Sequence, residues 1–282
     1  MMKILVTGGA GFVGTNLIQL LIKSNNHEIC SIDNYSIGSK ENHLDGVDYI
    51  DDDIINIQNY KNSFDIIYHL AALSRIQPSF SDPTLMFHSN TNGTLKVLEF
   101  AKKNNSKVIY SGSSSMHHDP SLSPYAMTKY LGEELCKLYR MSFNLEVDIV
   151  RFYNVYGPYE ILEGEWAAVI GKWRNQITNG FPITIVGDGN QRRDFTHIND
   201  IVDGLVKISN KKSKKFVWEL GSGKNYSINE VYELFNKKFN CKRIYIDDQK
   251  GNYRETLREN DDALNELGWN PTGSLEEYIS NL

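Results

Sequence analysis

Tyr125 and Lys129 stand four residues apart in the run SPYAMTK. Residues at that spacing share one face of a helix, so a phenol and an ammonium can approach one another or a common ligand. A phenol titrates at about 10 in water, and a fixed positive charge beside it favours the phenolate, which is the form a general base needs. Ser113, twelve residues earlier, adds a hydroxyl at what reads as the end of a strand. Pro124 suits the first turn of a helix, and Leu131, Leu135 and Leu138 continue an apolar stripe along it. A tyrosine and a lysine on any amphipathic surface helix would look the same in isolation. The rest of the chain decides between the two readings.

A base of this kind needs a second reactant, and the segment Met2–Asp33 supplies the means to hold one. Ile4, Leu5 and Val6 form the short apolar run of a strand buried on both faces of a parallel sheet. Gly8, Gly9, Gly11 and Gly14 crowd the turn that follows, and Val13, Leu17, Leu20 and Leu21 then recur on one helical face. A second strand, His27 to Ile32, closes on Asp33, 19 residues beyond Gly14. Glycines leave the helix's N–H groups and the positive end of its dipole open to a pyrophosphate, and an acid at this distance hydrogen-bonds the hydroxyls of an adenosine ribose. A carboxylate at Asp33, with no arginine after it, repels a ribose phosphate, so NAD is expected and NADP is not. The positive ring of an oxidised nicotinamide would add to Lys129 in favouring the Tyr125 phenolate.

The same alternation continues. Val47 to Ile50 reads as a third strand running into Asp51-Asp52-Asp53-Ile54; three acids in a row are ordinarily a solvated turn, but at a strand exit Asp53 can meet the adenine amino group with Ile54 stacking nearby. Phe64 to Leu70 is a fourth strand, and Ala71 and Ala72 at its exit let a flat ligand approach the backbone. His69, inside so apolar a segment, reads as a satisfied core residue. Pro83 to Lys103 is expected to be one long helix through Asn90 and Gly93, and Val108 to Ser111 a fifth strand before Gly112-Ser113-Ser114-Ser115. Ligands of open parallel sheets sit beyond the carboxyl ends of the strands, so all these exits face one crevice. The fold class expected is α/β, a Rossmann-type doubly wound parallel sheet.

Composition agrees. The 282 residues, 40% hydrophobic and 23% charged, suit a globular chain of one large domain or of a nucleotide-binding domain with a smaller partner. No apolar run reaches 18 residues and the N-terminus begins directly with a strand, so neither a membrane span nor a signal peptide is expected. Cys30, Cys136 and Cys241 show neither CxxC spacing nor an even framework, which fits a reducing cytoplasm. A net charge of −5 gives no reason to expect nucleic acid, and the lysines at 211, 212, 214 and 215 read as a solvated loop. No metal is expected.

The motifs TGGAGFVG, DNYSIG, Asp53-Ile54, HLAALS, NTNGT, YSGSSS and SPYAMTK, followed by RFYNVYGP, ITIVGDGNQRRDFTHINDIV and LGWNP, resemble the successive signatures of the extended short-chain dehydrogenase/reductase superfamily, in its NAD-dependent epimerase/dehydratase family. The likeness runs from the first strand to Pro271. It implies a Rossmann domain over 1–156, joined by returning segments 196–222, and a smaller C-terminal nucleotide-sugar domain over 157–195 and 223–282. It implies that Tyr125 is the base, that Lys129 orients the nicotinamide ribose and acidifies the tyrosine, and that Ser113 hydrogen-bonds the reacting hydroxyl. Gly8, Gly11, Phe12, Val13, Gly14, Asp33, Asn34, Asp53, Ile54, Leu70, Ala71, Ala72, Ser74 and Asn90, with Tyr125 and Lys129, would form the NAD site. Ser74, Ser113, Asn154, Val169, Val186 and Arg193 would meet the substrate, with Asn154 and Arg193 on its diphosphate.

Departures narrow the reaction. Where the family's dehydratases carry Asp-Glu after the catalytic hydroxyl residue, this chain has Ser114-Ser115, which leaves no acid to expel water; decarboxylases of the family often place a glutamate at position 115. Only six residues, Asp119 to Pro124, separate Met116-His117-His118 from Tyr125, a shorter loop than most relatives have. The family's late phosphate-binding arginine aligns near Gln249-Lys250-Gly251, leaving Lys250 or Arg254 to serve. The activity implied is epimerisation at the fourth carbon of a UDP-hexose or UDP-N-acetylhexosamine, the latter admitted by a small residue near Thr256. The rival readings are a nucleotide-sugar 4-ketoreductase or decarboxylase, and a dinucleotide-sensing regulator without chemistry. Tyr130, Leu138 and Tyr139 would contribute to a homodimer face.

Overall fold

A computed structural model describes residues 1–24 and 27–282. The chain runs β1 (Met2–Thr7), α1 (Phe12–Lys23), β2 (His27–Asp33), β3 (Val47–Asp51), β4 (Ile66–His69), α2 (Gly93–Asn104), β5 (Lys107–Ser113), α3 (Pro124–Phe143), β6 (Val147–Phe152), α4 (Val169–Thr178), β7 (Ile183–Val186), α5 (Ile198–Asn210), β8 (Val217–Leu220), α6 (Ile228–Phe239) and β9 (Arg243–Ile246), with short turns and bridges between. Seven strands form one parallel sheet in the order β8-β6-β5-β4-β1-β2-β3. The order reverses between β1 and β4, and such a switch point opens the crevice in which doubly wound sheets bind ligands.

Side-chain alternation along the strands builds two cores. Ile4 and Val6 of β1 pack with Leu17, Ile18 and Leu21 of α1 and with Ile201, Leu205 and Ile208 of α5. Leu5 points the other way, into a layer with Val97, Leu98 and Phe100 of α2 and Cys136 and Tyr139 of α3. A third core, around Trp173, Ile183, Ile185, Val231, Phe235, Leu275 and Ile279, holds α4, α6 and the parallel pair β7 and β9 as a smaller lobe. Strand β8, within the returning segment, is the sheet's outer edge. Residues 257–271 do not belong wholly to the smaller lobe: Ala263, Leu264, Leu267 and Trp269 pack into the first core, and Trp269 Nε1 donates to the Asp200 carbonyl at 2.7 Å.

The helices that carry the chemistry start where their caps dictate. Ser123 Oγ accepts from Ala126 N at 3.1 Å and Pro124 takes the first helical position, which fixes Tyr125 one residue inside α3. The expected long helix from Pro83 is continuous to Asn104 but carries a π turn in its middle. Pro83–Phe87 is capped by Asp82, a π turn follows at His88–Asn92, and α2 begins at Gly93.

Candidate active site

A cleft of about 670 Å³ lies at the carboxyl ends of β1, β2, β4 and β5 and extends against the smaller lobe. Its first half is built from backbone. A Cβ on Gly8, whose φ is +72°, would stand 2.8 Å from the Ala71 backbone, and one on Gly14 would run into the Gly8 carbonyl; these glycines let the turn close tightly onto the exit of β4. Gly11 faces open space apart from the Gly8 carbonyl oxygen at 3.3 Å, directly before the uncapped N-terminus of α1. Asp33 is held by two backbone donors, Ala10 N on Oδ2 and Tyr35 N on Oδ1, each at 2.9 Å. Burial raises its pKa and these bonds draw it back, so both oxygens keep lone pairs for ribose hydroxyls. Asn34 donates to Asp53 Oδ2 at 3.0 Å, and both line the cleft beside Ile54. The cradle fits a dinucleotide.

At the seam, the Tyr125 hydroxyl lies 3.2 Å from Ser113 Oγ. Lys129 Nζ donates to the Ser111 carbonyl at 2.9 Å and sits 5.3 Å from the centre of the Tyr110 ring, with two protons left for a ligand. Burial pulls this ammonium down to about 8, against the pull of Glu133. Burial pushes the Tyr125 phenol above its ordinary value, while Ser113 and the charge of Arg75 draw it back. Lys129 therefore stays cationic at neutral pH but would shed its proton before an unaided phenol does. Arg75 keeps its charge throughout.

The family model described as the NAD dependent epimerase/dehydratase family matches residues 4–221. The chain belongs to that family. It is 33% identical to a UDP-glucuronate 4-epimerase of Thermodesulfobacterium geofontis, over 98% of this chain and 93% of that protein. It is 30% identical to a putative UDP-glucose 4-epimerase of Methanocaldococcus jannaschii, over 99% and 96%. Its structure matches a UDP-glucose 4-epimerase from Thermotoga maritima, solved with UDP-glucose, with a TM-score of 0.92 at 27% identity, over 99% of this chain and 96% of that one. As in other members of an NAD-dependent family, the cofactor here is NAD.

Within this family frame the structure corrects several expectations. Every candidate cofactor and substrate residue lines the cleft except Asn90. Asn90 is buried behind the wall, where it accepts from Leu73 N at 2.8 Å and donates to Leu73 O and Thr128 Oγ1; it is a strut for the segment after β4. Asn154 lines the cleft, but its amide donates to the Asp194 carbonyl and to Thr256 Oγ1, each at 2.9 Å. Both amide hydrogens are thereby taken, and the oxygen that remains repels phosphate, so Asn154 is not a diphosphate donor in this arrangement. The Thr256 hydroxyl is likewise turned into the protein.

Neither candidate for the missing arginine reaches the main cleft. Lys250 lies 5.1 Å over the Phe80 ring and Arg254 pairs with Asp188 at 3.2 Å. Arg193 does line it, half-buried, with Nη1 on the Arg192 carbonyl. His69 bonds Thr7 Oγ1 at 2.8 Å and Thr94 Oγ1 at 3.0 Å and is held near 3 by burial, a core residue as expected.

Tyr253 and Arg75 are among the lining residues that the sequence did not point to. His118 stacks on Tyr253 with ring centres 3.9 Å apart, and the buried Tyr253 hydroxyl lies by the Ser115 and Ser123 hydroxyls. Arg75 comes directly after HLAALS. A cation immediately past a strand exit was the signal for it.

Proposed function

We propose that the protein epimerises the fourth carbon of a UDP-linked hexose and keeps NAD bound throughout. The approach of Tyr125 to Ser113, 3.2 Å apart where the two halves of the cleft meet, carries this reading. Ser113 would hold the reacting hydroxyl and Tyr125 take its proton, since a hydroxyl bonded to Ser113 Oγ would come within hydrogen-bond reach of the phenol. NAD supplies the acceptance and return of hydride. Arg75 and Lys129 favour the phenolate, and the 4-keto sugar turns over before Tyr125 returns the proton. The absence of a carboxyl group at Ser114 and Ser115 speaks against dehydration, and both residues line the cleft. The experiment is incubation of the pure protein with UDP-glucose, UDP-N-acetylglucosamine and UDP-glucuronate, with products resolved by chromatography. The fourth-carbon epimer of one of them is expected, at unchanged mass and without added cofactor. Loss of carbon dioxide, or turnover only with added reduced cofactor, would favour the decarboxylase or the 4-ketoreductase.

The same reading makes the protein a cytoplasmic homodimer. Tyr130, Leu138 and Met141 of α3 are 36%, 48% and 78% exposed on one helix, a large apolar surface for a lone chain. Tyr139 does not share that face: it is 5% exposed and bonds Glu99 within the chain. No helix among the described residues is long and apolar enough to cross a membrane. Light scattering should return twice the mass of the chain, and Leu138→Lys should halve it.

A further inference from the structure

Arg75 sits in the cleft as a cation without an anion. Its Nε donates to the Trp166 carbonyl at 2.9 Å and its Nη1 to the Ser74 carbonyl at 2.8 Å, both neutral acceptors. Among the described residues it has no carboxylate within ion-pair distance, and Glu160, whose charge reaches it, is itself paired with Arg174 at 2.8 Å. The side chain is half-buried, and the partial loss of water draws the guanidinium below its usual range. Withdrawing a cation from water without a counter-charge costs several kcal/mol, so a protein keeps one where a ligand completes it. Two of the five N–H donors are used, and the remaining edge suits a planar, two-oxygen anion.

Position separates Arg75 from the diphosphate. The residue follows β4, the neighbour of β5 whose end carries Ser113, and directly precedes the short helix Ile76–Ser81, which packs on the helix that carries Tyr125. A neutral hexose would offer this edge single hydroxyl oxygens, whereas a carboxylate offers two oxygens and the counter-charge. The hydroxyl-bearing run Ser113-Ser114-Ser115 lines the same end of the cleft and can satisfy the outer lone pairs of an acid.

We propose that Arg75 is a specificity-determining residue which binds the carboxylate of a nucleotide-linked hexuronic acid, so that the preferred substrate carries an acid on its sugar. This rests on the nucleotide-sugar reading above. The test is calorimetric binding of UDP-glucuronate, UDP-glucose and UDP to the NAD-loaded Tyr125→Phe protein, which cannot turn substrate over, with and without Arg75→Met or Arg75→Lys. UDP-glucuronate should bind more tightly than UDP-glucose. Arg75→Met should weaken UDP-glucuronate roughly 10- to 100-fold, the worth of hydrogen bonds to a charged group, and leave UDP-glucose and UDP nearly unchanged. Arg75→Lys should recover part of the loss. Equal weakening of all three ligands would make Arg75 a diphosphate clamp or a structural residue, and no weakening would place it out of contact; either result overturns the proposal. If UDP-glucose and UDP bind but UDP-glucuronate does not, the proposal falls and the nucleotide-sugar reading stands. If none of the three binds, that reading falls first.

Discussion

The two halves of the cleft are made of different material. The cofactor half is a backbone surface: Gly8, Gly11 and Gly14, the exits of β1, β2 and β4, and one acid, Asp33, fixed by two N–H groups. The half proposed for the sugar is a side-chain surface assembled from segments distant in sequence: Arg75 after β4, the serines after β5, Asn154, Arg193, Tyr253 and Thr256. A dinucleotide shared by many enzymes can be held by geometry that tolerates few changes. A variable sugar needs residues that can be exchanged without disturbing the sheet.

Replacing Tyr125 at the seam gives the largest separation of the halves. Tyr125→Phe should lower turnover on the order of 10² to 10⁴-fold, the usual worth of a positioned general base, with NAD affinity nearly unchanged. Steady-state kinetics and fluorescence titration of the cofactor read the two quantities independently. A parallel loss of NAD binding would show that the phenol belongs to the cradle as much as to the chemistry.

That difference in material also set what the sequence revealed. The cofactor half follows from local rules, since a glycine turn between a strand and a helix, and an acid at the end of the next strand, have only one way to fold. Asn90 lies in the π turn at His88–Asn92, a local irregularity that periodicity does not announce, and bonds Leu73 behind the cleft wall. The partners of Asn154, the Asp194 carbonyl and the Thr256 hydroxyl, lie 40 and 102 residues away, beyond what local spacing can show. Tyr253 reaches the cleft only through a loop packed on Leu122, Ile76 and Phe80, contacts with no sequence signature. Trp269 likewise returns to the first core through Asp200, a contact that spacing cannot foresee.

Glu219, at the end of β8, ties the side-chain half to the sheet and supplies a sharper test. Its Oε1 accepts from His117 at 2.6 Å and from Arg151 at 3.1 Å, and its Oε2 from Tyr153 and the Glu259 N–H, each at 2.8 Å. Burial alone would raise this carboxyl, but the bonds from His117, the Glu259 backbone and Tyr153 outweigh it and hold the group at about 2. A glutamate titrates in the unfolded chain at about 4.3, so between these values the unfolded state binds more protons. The stabilisation is therefore complete above that range and lost as pH falls toward 2, a difference of roughly 3 kcal/mol. Melting of the native protein and of Glu219→Gln should differ most at pH 7 and converge at low pH. A gap independent of pH would mean that the residue acts through packing and not through its charge.

Gly11→Val, the mildest change, asks whether the cofactor half is built by the absence of side chains. The backbone of Gly11 is extended, with φ of −84° and ψ of 178°, a conformation that valine adopts without strain. Its Cβ would stand 3.3 Å from the Gly8 carbonyl oxygen, a tight contact that a small backbone shift relieves, so the melting temperature should fall only slightly. The added methyl groups would occupy the approach to the first-turn N–H groups of α1, where the pyrophosphate must lie. Overpacking by this much costs about 1–3 kcal/mol, so NAD should bind roughly 10- to 100-fold more weakly, while UDP, held in the other half, should bind as before. Loss of both ligands together would mean that the halves are coupled through the sheet and that the contrast between them is one of appearance only.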